Sequence, residues 1–111
     1  MNPRSTITSQ AVRNIISRWE AEAKESIEKI KSGCLPKEAK MTHIKEILET
    51  LAKDRAEMEL LSIRNDLKLA GNPEDVKAEM YWAQEDMKSD RVPFFLRPIF
   101  EKHYTSCAEL L

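Results

Sequence analysis

Two histidines and two cysteines hold most of the reactive chemistry available to this sequence. His103 and Cys107 stand four residues apart, so on a helix an imidazole and a thiol share one face. Such a pair could ligate a soft metal or act as nucleophile and base, and each use demands more than the pair. A closed zinc site takes four ligands. The other candidates, Cys34 and His43, lie nine residues apart across a helix start, a spacing of no common zinc motif. A catalytic thiolate wants a base oriented by a third group and a setting such as a helix N-terminus, whereas Cys107 lies near the far end of its segment. Cys107 is therefore expected to be a small core residue.

Paired carboxylates give a similar result. A di-metal bundle site uses Glu-x-x-His from two helices, but the residues three before His43 and His103 are Lys40 and Phe100. Glu46, Glu49 and Glu57 read instead as a solvated face, with Glu49 and Lys53 forming an i,i+4 pair. With two glycines in 111 residues there is little material for a phosphate-binding loop or an oxyanion cradle. The expectation is a protein that is not an enzyme, with no cofactor, no metal site and no catalytic residue.

Charge narrows the field further. The chain holds 18 Lys+Arg against 19 Asp+Glu, a formal net charge of −1. Residues 74–90 carry six acids against Lys77 and Lys88, and residues 37–70 balance at seven of each sign. No basic stripe emerges of the kind that phosphate backbones require, which argues against nucleic acid. Apolar stretches run three or four residues, far short of the roughly 20 that span a bilayer, which argues against a membrane. The first residues, MNPRSTITSQ, lack the apolar core of a secretion signal. Two cysteines are too few for a stapled extracellular framework. A soluble, reducing, cytoplasm-like setting is expected, or export by a system that reads no such signal.

What remains is association. Phe94, Phe95, Leu96, Ile99 and Phe100 place five large apolar side chains in seven residues, between Pro93 and a second proline at 98. Part of this cluster must close a core, and part is expected to be presented to a protein partner, because rigid aromatic anchors suit interface hot spots. The acids Glu79, Glu85 and Asp86 just before it are the expected docking face for that partner.

The elements that position these residues follow from periodicity. A polar segment over 1–8 is expected to be flexible, with a single helical domain over 9–111. From Ser9 to Lys31, Val12, Ile16, Trp19, Ala23, Ile27 and Ile30 step by fours and threes, widened by Ile15, one stripe of a helix. Ser9 is expected to cap its start and Gly33 to take the left-handed stop. Pro36 opens a second segment in which residues 37–70 contain neither Gly nor Pro. Its seam is Met41, Ile44, Leu48, Leu51, Met58 and Leu61, broadened by Leu60, Ile63, Leu67 and Leu69. Charged residues near Asp54 thin that seam, so a single long helix or two meeting there both fit, with the single helix preferred. Gly71 then stops one helix, Asn72 caps the next, Pro73 takes its first position, and Glu74 and Asp75 favour its dipole. Val76, Met80, Ala83 and Met87 mark that third helix. A last helix over about 98–110 carries Ile99, Phe100, His103, Tyr104 and Cys107.

The fold expected is all-α: a small bundle of about four helices with one long central helix. The function expected is a non-enzymatic interaction module that binds and regulates or inhibits a partner protein. In size and composition the chain resembles small helical accessory proteins, such as chaperones and inhibitors. The alternative is a structural protein whose long helix chiefly drives self-assembly. On either reading the long helix, if straight, protrudes with an apolar seam that needs a second subunit, so a two-fold homodimer is expected.

Overall fold

A computed structural model describes residues 10–111 and shows four α-helices and no strand among them. The expectations for residues 1–8 and for the Ser9 cap lie outside the described residues. Helix α1 spans Gln10–Ser32 and α2 spans Lys37–Ala70. Helix α3 spans Pro73–Lys88, and a 3₁₀ turn, Phe94–Leu96, leads into α4, Arg97–Ala108.

The termini of these helices follow local chemistry. At Gly71 the left-handed conformation (φ 65°) is present, and its amide donates to the Leu67 carbonyl at 3.0 Å. The Asn72 side-chain oxygen accepts from the Glu74 amide at 3.0 Å, with Pro73 opening α3 as expected. Gly33 departs from expectation. Among the described residues Gly71 alone among glycines has positive φ. The reason lies in how α1 ends. The Ser32 hydroxyl donates to the Glu28 and Lys29 carbonyls, the Gly33 amide donates to Ile30 at 3.2 Å, and Lys40 Nζ reaches the Lys31 carbonyl at 2.8 Å. The Lys29, Ile30 and Lys31 carbonyls are thus satisfied without a left-handed turn.

Helix α2 runs unbroken for 34 residues, about 51 Å at 1.5 Å per residue, close to the 54 Å long dimension. The charged stretch near Asp54 does not interrupt it. Arg55 there bridges Glu59 one turn on and Glu20 of α1, each at 3.1 Å, so the charges serve a helix surface. α2 is the spine. α1 packs antiparallel along its N-terminal part, with Lys31 opposite Lys40 and Glu20 opposite Arg55. α3 and α4 pack on each other, and α4 closes against its C-terminal part, where Val76 of α3 joins the core.

The core sits at that second end. Leu60, Ile63 and Leu67 of α2, Val76 of α3 and Cys107 of α4 form it, flanked by Met80, Ile99, Phe100 and Leu110. The expected single seam on α2 is thereby split. Leu60, Ile63 and Leu67 are buried, whereas Met41, Leu48, Leu61 and Leu69 are exposed. A helix longer than its neighbours can cover leaves part of its apolar surface without a cover. Helix α1, packed on the spine alone, has one buried side chain, Ile16, and the rest of its stripe is half-buried.

Candidate functional site

Two features stand out: a polar cluster inside the α2–α3–α4 core and an apolar surface beside it. The first is built from three helices. Glu79 of α3 lies three residues after Val76 and four before Ala83, on the buried face of its helix. It is 3% exposed, so Glu79 is not part of an acidic docking face. The physical reason is its partner. His103, fully buried, donates from Nε2–H to Glu79 Oε1 at 2.9 Å. On the other side of the ring, Arg64 Nη1 donates to His103 Nδ1 at 2.8 Å. An arginine can only donate, so Nδ1 must be the accepting nitrogen and Nε2 must carry the proton. The Arg64 and Glu79 charges are thus joined through one imidazole, which fixes its tautomer and ties α2, α4 and α3 together.

Cys107 Sγ lies 3.7 and 3.9 Å from the two ring nitrogens of His103, as the four-residue spacing requires. Both side chains are fully enclosed. Cys107 is a core residue, as its position on the apolar face of α4 implied. Cys34 is exposed, and both cysteines are free. No group of three or more His, Cys, Asp or Glu among the described residues could hold a metal ion. The signal for this cluster is present in the sequence as an acid, Glu79, at the spacing of the buried Val76 and Ala83.

The aromatic segment divides between core and surface. Ile99 and Phe100 pack against the core, and Phe95 and Leu96 are half-buried. Phe94 is 77% exposed, with the Arg97 guanidinium 4.9 Å from its ring centroid. Lys53 Nζ lies 5.7 Å from the ring of Phe95. Of the acids expected beside them, Glu85 is exposed and Asp86 half-buried. Next to Phe95 runs an open groove of about 430 Å³, lined by Met41, Ile44, Lys45, Leu48 and Glu49 of α2. The structure thus brings Phe95 to the exposed part of the α2 seam, a neighbour that periodicity alone did not indicate.

Comparison of the chain with protein-family models, curated proteins and solved structures gave no match. No helix among the described residues is long and apolar enough to cross a membrane.

Proposed function

We propose that this protein is a non-enzymatic helical interaction module, which binds and regulates or inhibits a partner protein. The observation that carries this reading is the ring of Phe94. It stands outward on a 3₁₀ turn fixed by Pro93 at its entrance and by Pro98 in the first turn of α4. A large apolar side chain held on rigid backbone loses little entropy on binding, which is the usual character of an interface anchor. Half-buried Leu96 lies two residues on, and exposed Glu85 supplies an acid on the preceding helix for a partner with basic groups at its rim.

The test compares the full chain with its Phe94→Ala variant. Phe94 is exposed, so the substitution is expected to leave the melting temperature nearly unchanged. Each form, immobilised, is then used to capture proteins from a lysate of the source cells. A protein held by the parent chain and weakened by about 2 kcal/mol or more by Phe94→Ala supports the reading. Identical capture by the two folded forms overturns it.

A further inference from the structure

Helix α2 carries two apolar faces in its N-terminal half, and α1 covers one of them. Ile47 and Leu51 line the junction with Trp19 and Ala23 of α1. At about 100° per residue, Leu48 lies roughly a quarter turn round the helix from Ile47, and Met41 lies about 20° from Leu48. Met41 and Leu48 are 61% and 50% exposed, with Ile44 half-buried between the faces and Phe95 walling the far side. The spacing 41, 44, 48 is that of a helix meeting another helix. This surface does not include Phe94.

The charges in the groove indicate which helix fits. Lys45 and Glu49 line it, four residues apart and in contact at the outer limit of an ion pair, 4.0 Å. A strongly acidic or basic partner helix would oppose one of them. A second copy of α2, antiparallel about a two-fold axis level with Ile47, opposes neither. Halfway between the two charges, that axis sets each Lys45 against the second copy's Glu49, and each Glu49 against its Lys45. Leu48, one residue from the axis, packs on its own counterpart. Met41, six residues from the axis or about 9 Å, falls level with the second copy's Lys53, whose Nζ lies 5.7 Å from the Phe95 ring centroid. Two antiparallel α1–α2 hairpins set side by side in this way make the familiar four-helix arrangement.

We propose that the N-terminal half of α2 is the two-fold interface of a homodimer, in which Lys45 and Glu49 pair reciprocally across the axis. The interface goes beyond the Phe94 surface and leaves that ring outside it.

Sedimentation velocity across the micromolar range tests the proposal on the full chain, with Lys45→Glu, Glu49→Lys, Leu48→Glu and Phe94→Ala alongside. The parent chain is expected to dimerise. Either charge reversal sets like charges together twice, once on each side of the axis, and is expected to weaken the dimer at least about tenfold. A 1:1 mixture of Lys45→Glu with Glu49→Lys sets two acids against two bases and restores association as a mixed dimer. Leu48→Glu is expected to be monomeric, and Phe94→Ala to dimerise like the parent. All four side chains are exposed or edge positions, and far-ultraviolet circular dichroism confirms that each variant is folded. A parent chain that stays monomeric overturns the proposal, as does a dimer that both reversals leave intact or a mixture that associates no better than its components. Phe94→Ala separates the two readings: lost capture with an intact dimer bears on the proposed function alone, and a lost dimer interface with Phe94-dependent capture bears on this one alone.

Discussion

Replacing His103 by leucine removes a hydrogen-bonding hub while keeping an apolar side chain of similar bulk in the core. Two contacts are lost, Nε2–H to Glu79 at 2.9 Å and the Arg64 donor to Nδ1 at 2.8 Å. Both involve a charged partner, where each bond contributes about 1.5–3 kcal/mol. Their loss sums to roughly 3–6 kcal/mol, and the better burial of leucine over imidazole returns about 1–2 kcal/mol of this. Arg64 is half-buried and can turn to water, whereas Glu79 cannot, so most of the cost falls on the carboxylate. The expected net loss is about 3 kcal/mol, or a fall in melting temperature of about 12–20 °C for a domain of this size. Urea denaturation followed by circular dichroism measures it, on His103→Leu, Glu79→Leu and the double variant. Because the double variant leaves no carboxylate behind, its loss should be smaller than the sum of the single losses by about 1–3 kcal/mol. Additive losses, or a change within about 0.5 kcal/mol for His103→Leu, would refute the view that Glu79 is held by His103.

The two glycines provide a contrast within one chain. Gly71→Ala forces a side chain into the left-handed region at φ 65° and should cost about 1–2 kcal/mol. Gly33→Ala has no positive φ to oppose it and meets the Ile30 and Lys29 carbonyls at 3.4 Å, so it should be neutral or stabilising by up to about 1 kcal/mol. Thermal melts of both variants check the pair, and equal effects would mean that the helix ends are not formed as described. Asn72→Ala removes the acceptor for the Glu74 amide and should cost about 1 kcal/mol by urea denaturation.

How much of this was legible in the sequence depended on whether a local rule was involved. The Gly71-Asn72-Pro73 boundary was readable because the chemistry of stopping and capping a helix acts within four residues. The single span of α2 was readable from a run without Gly or Pro. Which face of α2 is buried was not readable, because Met41, Leu48, Leu60 and Ile63 are equally apolar. The choice among them depends on where α1 and the α3–α4 pair end along the spine. The burial of Glu79 was not readable for a related reason. Counting charges over a segment treats it as a surface, whereas a single acid at the spacing of Val76 and Ala83 belongs to the opposite face. Its partner His103, and Arg64 on the far side of that ring, come from other helices, 24 and 39 residues apart from the residues they bond, and no local pattern joins them. Gly33 takes no left-handed turn because its neighbour Ser32 and Lys40, nine residues beyond Lys31, serve the Lys29 and Lys31 carbonyls.

The arrangement of α1 and the α3–α4 pair on different stretches of one spine has a consequence for how the molecule opens. α1 contributes one buried side chain, Ile16, while the other end holds the Leu60–Ile63–Leu67 core and the Glu79–His103–Arg64 hub. Resistance to local unfolding follows buried contact, so the two ends form separate cooperative units of unequal strength. α1 can peel from the spine in a sub-global opening that costs less than complete unfolding, with the C-terminal half still closed. In amide hydrogen exchange the backbone of α1 is therefore expected in the quickly exchanging class, and the amides around Ile63 and Cys107 in the slowest. The long helix passes through both units, so its own protection must rise along its length, from the end that α1 covers to the end that the core encloses.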